Sequence, residues 1–259
     1  SFPVITIRDM VNAQKMLIDE LGIKKLLCVI GGSAGGFQAL QWAASYPEKV
    51  VTSIPIATSF RHSAQNIAFH EVGRQAIMSD PDWCNGNYID KKKKPEKGLS
   101  VARMLAHITY LSEEAFQRKF GRNLQNKLSL AYSFKTDFQV ESYLKHQGQT
   151  FVDRFDANSY LYITRAMDYF DLPSQKKGGL KNIYKNTPVK FCVISFTSDW
   201  VYPTKYSKEI VDSLNAVGAN VSFVEIQTDK GHDAFLLDEK EFNEIVRGFL
   251  KATANKTGF

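Results

Sequence analysis

The sequence is poor in cysteine: Cys28, Cys84 and Cys192 are the only three in 259 residues, and none forms a CxxC pair. That excludes a disulfide framework and a four-thiolate zinc site. Cys28 and Cys192 lie inside the apolar runs 26–30 and 191–194, where a thiol behaves as a small core hydrophobe. A reducing, cytoplasmic compartment is therefore expected. No apolar run approaches the roughly 20 residues a membrane span needs, and the chain does not open on a charged-then-apolar leader. Internal repeats are absent, as is any H-E-x-x-H motif or histidine–carboxylate cluster, so no metal is expected. An excess of one charge is also nearly missing. Basic residues number 33 against 27 acidic ones, and the stretch 91–97 alone holds five lysines and one glutamate. A nucleic-acid groove needs cations spread over a face with interleaved aromatics, whereas one lysine run beside Pro95 reads as a solvated loop. Neither a nucleic acid nor a membrane is expected as a partner.

What is present, 44% hydrophobic and 12% aromatic residues with 23% charged, describes a globular chain. Apolar residues recur at three- and four-residue steps over 7–21, and Gly22 closes that helix. The run 26–30 ends in two glycines and suits a strand buried on both faces; a helical pattern over 34–46 and a second buried strand over 50–57 complete a parallel crossover unit. From 58 to 186 the pattern becomes helical, without convincing strands. Alternation then resumes with a strand at 189–195, a helix at 204–217, a strand at 221–226 and a closing helix at 239–252. The expected fold class is α/β, with a mainly parallel sheet split into 1–57 and 187–259 around a helical cap at 58–186.

Gly31-Gly32-Ser33-Ala34-Gly35 matches G-x-S-x-G at a strand-to-helix junction. Such a turn holds the serine in strained dihedrals and lifts its hydroxyl to a helix N-terminus, where backbone N–H groups, that of Ala34 among them, can stabilise an oxyanion. A phosphate cradle would need a G-x-x-x-x-G-K-[ST] lysine, which is missing. A nucleophilic serine needs a base, and the base an orienting carboxylate. In chain order Ser, Asp, His, these are Asp199 after the strand 189–195 and His232 after the strand 221–226. His62, His70, His107 and His146 all fall in the helical stretch, where surface or packed helix positions are expected of them.

With those residues in hand, the sequence resembles the homoserine O-acetyltransferase family of α/β-hydrolase-fold acyltransferases. The resemblance is carried by Phe2-Pro3-Val4-Ile5-Thr6-Ile7-Arg8-Asp9-Met10, by Gly31 through Leu40, and by Ala102-Arg103-Met104 and Ile108-Thr109-Tyr110. It continues through Ala166-Met167-Asp168-Tyr169-Phe170-Asp171-Leu172 and Gly231-His232-Asp233-Ala234-Phe235-Leu236. It implies Ser33 as nucleophile, Asp199 as acid and His232 as base, with Arg103, Tyr110 and Asp233 binding the acceptor. It further implies no bound cofactor, acetyl-CoA and L-homoserine as small-molecule substrates, a place in methionine biosynthesis, and a homodimer joined through the cap. An amino-acid acceptor suits a guanidinium for its carboxylate and a carboxylate for its ammonium.

The sequence departs from the family pattern at Ala34, where methionine is usual, and at Leu111, where relatives often carry a basic residue. Only 32 residues precede Ser33, so the early sheet strands, and the loop carrying the second oxyanion donor, are expected to belong to a longer chain. A succinyl donor, serine as acceptor, and a truncated, catalytically impaired α/β-hydrolase domain acting as a binding module stay open as alternatives.

Overall fold

The computed structural model describes residues 2–258. The chain divides into two compact units, one running to His62 and resuming at Ala166, the other covering Ser63–Arg165. In chain order the elements begin with α1 (Ile7–Glu20), β1 (Leu26–Gly32), α2 (Ala34–Ser45) and β2 (Val50–Ile56). Five helices follow: α3 (Ala64–Met78), α4 (Glu96–Tyr110), α5 (Glu113–Lys119), α6 (Gln139–Arg154) and α7 (Ala157–Asp168). The chain ends with α8 (Leu180–Ile183), β3 (Lys190–Phe196), α9 (Thr204–Asn215), β4 (Val221–Ile226) and α10 (Lys240–Thr257).

The four strands form one parallel sheet in the order β1-β2-β3-β4. Each strand is separated from the next by helical chain, as parallel pairing requires. β2 is buried along its whole length, which is why its sequence reads as a continuous apolar run rather than an alternation. Side chains of β3 divide by the two-residue period of a strand. Phe191 and Val193 enter a core with α1, α2 and α9, contributed by Ile7, Val11, Phe37, Leu40, Ile210 and Leu214. Cys192, Ile194 and Phe196 enter a second core against Phe242, Ile245, Val246 and Phe249 of α10. Each fully buried aliphatic or aromatic side chain of these cores contributes about 2 kcal/mol. Both faces of the sheet are thus covered by helices.

The helical unit has its own core, built from Ile77, Leu99, Ala102, Phe151 and Val152. It is narrower than the expected 58–186. Residues 58–62 return into the α/β unit because Thr58, Ser59, Phe60 and His62 are buried there. The stretch 166–186 does so because Phe170, Leu172, Leu180 and Tyr184 pack into the α1–α2–α9 core. Among the described residues, no helix is long and apolar enough to cross a membrane.

Candidate active site

Ser33 stands between β1 and α2 with φ 55° and ψ −121°, left-handed backbone that a residue with a Cβ rarely adopts. Its main chain is held there from three sides. The Ser33 N–H donates to the Ile56 carbonyl at 3.0 Å, and the Ser33 carbonyl accepts from the Gly36 N–H at 2.9 Å and from the Thr58 hydroxyl at 2.8 Å. Although Ser33 is the N-cap of α2, its hydroxyl makes no capping bond. Ala34, next in line, occupies the first position of α2, whose N–H an α-helix leaves without an intrahelical acceptor. The glycines do unequal work. A Cβ on Gly31 would lie 2.3 Å from the Gly35 backbone, while one on Gly35 would meet open space. Of the two glycines that define the G-x-S-x-G pattern, the first is sterically required and the last is not.

The other two members of the expected triad are joined directly. The Asp199 carboxylate, 3% exposed, places Oδ2 2.8 Å from Nδ1 of His232, itself 3% exposed. Its Oδ1 accepts from the main-chain N–H groups of Val201 and Tyr202, both at 2.9 Å. Both carboxylate oxygens are therefore committed, and Nδ1 of the imidazole faces the acid. Asp199 follows β3 and His232 follows β4, so neighbouring parallel strands deliver them to the same edge of the sheet. Gly231, at φ 77°, makes the turn that presents His232, and its N–H donates to the Ser198 hydroxyl at 2.9 Å. Two rings flank the imidazole, Tyr202 at 5.4 Å and Phe235 at 5.7 Å between centroids. Phe235 also closes on the nucleophile turn, since a Cβ on Gly32 would fall 2.4 Å from its ring. One aromatic side chain thus bridges the residue before Ser33 and the His232 ring.

Cys28 and Cys192 are no rival nucleophiles. Burial raises both thiols above the ordinary range, Cys192 to about 11, and a thiol at such a value is inert at neutral pH.

Of the remaining expected residues, Asp233 follows His232 in the same short 3₁₀ turn and is half-buried. Arg103 and Tyr110 belong to the helical unit, on α4. The Arg103 guanidinium lies over the Phe151 ring at 4.6 Å and the Tyr110 ring at 5.5 Å, and its buried Nε has no hydrogen-bond partner. A buried cationic donor left without an acceptor suits an anionic ligand.

Two of the other histidines are buried, His107 packed in a helix as expected and His62 outside any helix. His107, one turn past Arg103 on α4, is 8% exposed with a buried, unpartnered Nε2 and the Tyr143 hydroxyl 3.2 Å from Nδ1. Burial, and then the cations Arg103, Lys119 and Arg154, push its pKa down to about 4. Because the folded value lies below the ordinary 6.5, protonation favours the unfolded chain. The stability held above the unfolded value is lost as pH falls through the window from about 6.5 to about 4, by at most about 3 kcal/mol. Urea unfolding of wild type and His107→Gln at pH 7 and pH 4.5 checks this: the wild type should lose more stability between the two, and equal losses would refute it. His62 is the second case. It lies outside any helix, is almost wholly buried, and binds Asp168 through Nδ1 at 3.0 Å and Tyr202 through Nε2 at 2.7 Å. The fold also brings His70 to this pair, so that His62, His70 and Asp168 have potential ligand atoms within 4.8 Å of one another, a histidine–carboxylate cluster that the sequence pattern does not reveal. With both His62 ring nitrogens engaged, a metal ion there would have to displace one of these bonds. Local sequence carries no signal for these long-range pairings.

A family model for the alpha/beta hydrolase fold matches residues 1–239. The chain belongs to the alpha/beta hydrolase fold family. Within that family it is 64% identical over 256 residues to a homoserine O-acetyltransferase of Mesorhizobium japonicum, covering 99% of this chain and 66% of that protein. The chain thus spans just under two thirds of that relative's length. Among solved structures it is similar to homoserine O-acetyltransferase from Bacillus anthracis, with TM-score 0.88 and 28% identity over 96% of this chain and 66% of the other. The crystal structure of esterase E22 is nearly as similar, with TM-score 0.86 and 30% identity over 96% of this chain and 67% of the other.

Proposed function

We propose that the chain carries the acyl-transfer centre of a homoserine O-acetyltransferase. The observation that carries the reading is a serine held in strained backbone at the head of α2, with the bonded His232–Asp199 pair delivered by β3 and β4. The Phe235 bridge supports convergence of these groups. His232 Nε2 takes the Ser33 proton as Oγ attacks the thioester carbonyl of acetyl-CoA, and Asp199 steadies the resulting imidazolium. The Ala34 N–H supplies one donor to the oxyanion. The tetrahedral intermediate collapses, and CoA departs as the thiol with the proton from His232. The homoserine hydroxyl then gives its proton to His232 and attacks the acetyl-serine, and the returning proton regenerates Ser33.

Arg103 is assigned to the acceptor carboxylate on the strength of its unpartnered Nε, and Asp233, beside the base, to the acceptor ammonium. Tyr110 lines the same part of α4 as Arg103. The reaction needs no bound cofactor. Both substrates are metabolites of the cytoplasm, which makes that the location, and the product serves methionine biosynthesis. Exposed Leu128, Tyr132 and Phe134 on the helical unit support a homodimer.

The likeness to esterase E22 favours a second reading, in which water rather than an amino acid resolves the same acyl-serine. Product identification decides between them. Acetyl-CoA and succinyl-CoA are each incubated with homoserine, serine or buffer alone. O-acetylhomoserine as the dominant product is expected, and free acetate released equally with and without homoserine would overturn the transferase reading. Arg103→Ala should weaken homoserine use about 100-fold through loss of a charge-assisted contact while thioester cleavage persists. An unchanged KM for homoserine would remove Arg103 from the acceptor site.

A further inference from the structure

Behind the His232–Asp199 pair lies a second buried polar chain that the acyl-transfer steps do not use. Asp168, at the end of α7, holds His62 Nδ1 at 3.0 Å, and His62 Nε2 meets the Tyr202 hydroxyl at 2.7 Å. The His62 and Asp168 side chains are 1% and 4% exposed, and Tyr202 is 1% exposed. Burying an imidazole, a carboxylate and a phenol costs several kcal/mol unless each finds a partner, and apolar side chains would fill the same volume without that cost. Packing alone therefore does not account for the chain.

Its geometry points at the base. Tyr202 is doubly placed: its main-chain N–H holds Asp199 Oδ1 at 2.9 Å, and its ring lies 5.4 Å from the His232 ring. Whatever fixes Tyr202 also fixes the turn that grips Asp199 and the wall against which the imidazole rests. The far end of the Tyr202 side chain is tied to His62, and His62 to Asp168. Phe37, one turn past Ser33 on α2, sets its ring against both His62, at 5.2 Å, and Tyr202, at 5.9 Å. The helix headed by the nucleophile thus packs against the same chain.

We propose that His62 and Asp168 are positioning residues for the His232–Asp199 pair, acting through Tyr202. They neither touch substrate nor carry its protons. With Asp168 ionised, His62 donates its Nδ1–H to the carboxylate and accepts the Tyr202 hydroxyl proton at Nε2, so Tyr202 cannot turn. Asp199 then has one carboxylate position, and His232 keeps its proton on Nδ1 with Nε2 as the accepting nitrogen. Losing the tie lets the 199–202 turn sample other arrangements, and small misplacements in such a cluster are costly.

The inference rests on the acyl-serine reading for its kinetic effect but not for its structural one, so two readouts separate the failures. The first is the NMR signal of the hydrogen-bonded Nδ1 proton of His232 in the full chain, identified by its loss in His232→Gln. Tyr202→Phe removes one oxygen and keeps the ring; His62→Leu removes the tie; His62→Gln restores a side-chain acceptor for the hydroxyl. Tyr202→Phe and His62→Leu should broaden or shift that proton while thermal unfolding stays cooperative, and His62→Gln should restore it in part. The second readout is turnover. For Tyr202→Phe, kcat should fall about 10- to 100-fold with KM for both substrates little changed. If His62→Leu does not fold, Tyr202→Phe alone decides. An unshifted proton in Tyr202→Phe overturns the proposal whatever the activity, and a shifted proton in a chain without acyl transfer would count against the functional reading alone.

Discussion

Ser33→Ala should abolish acyl-enzyme formation and lower turnover by about five to six orders of magnitude, because in the proposed mechanism this residue supplies the atom that bonds to the acyl group. Intact-protein mass spectrometry after exposure to acetyl-CoA should show one added acetyl group on wild type and none on the variant. A covalent adduct persisting in Ser33→Ala would remove Ser33 from the role. The companion variant Ser33→Gly separates chemistry from strain. Alanine at φ 55° keeps the strained backbone, whereas glycine adopts it freely. Ser33→Gly should therefore be as inactive as Ser33→Ala yet more stable than it by about 1 kcal/mol. The strain at the turn is held by the bonds from Ser33 to Ile56, Gly36 and Thr58. Stability is given up at this position so that the hydroxyl can project away from the helix instead of capping it.

The strand-to-helix turn could be read from sequence because its chemistry is local. Five consecutive residues encode it, and the buried strands around it announce themselves as apolar runs. The strand pattern falters at its ends: the expected 26–30 extends to Gly32, since glycines carry no hydrophobic signal even where the parallel ladder continues to Ile56, and the expected 50–57 and 189–195 become Val50–Ile56 and Lys190–Phe196. Asp199 and His232 were placed by chain order relative to strands, and the parallel sheet turns that order into adjacency.

What sequence could not supply was the boundary of the helical unit and the polar chain behind the base. Residues 58–62 lose strand periodicity after β2, so pattern assigns them to the insertion. In the fold they stay with the sheet, because Thr58 secures the Ser33 carbonyl and His62 reaches Asp168 and Tyr202. Contacts separated by 106 and 140 residues leave no periodic trace. For the same reason His107 reads as an ordinary helix residue until its burial and the surrounding cations are visible.

Asp199→Asn is the second change of large effect, and it acts without disturbing the framework. The asparagine carbonyl oxygen can still accept from the Val201 and Tyr202 N–H groups, which fixes the amide orientation. Its NH₂ then faces Nδ1 of His232, where the carboxylate oxygen stood. A donor there can be met only by an unprotonated Nδ1, so the imidazole proton moves to Nε2, the nitrogen that accepts from Ser33 in the proposed mechanism. The variant should fold normally and lose about four orders of magnitude in acylation rate. Stopped-flow measurement of thiol release from acetyl-CoA gives that rate, and the nitrogen chemical shifts of His232 give the tautomer. Asp199→Ala is the contrast: it strands two buried N–H groups and the imidazole N–H at once, so it should also cost about 2 to 4 kcal/mol of stability. An Asp199→Asn protein that acylates within tenfold of wild type would mean that His232 receives its orientation from some group other than this carboxylate.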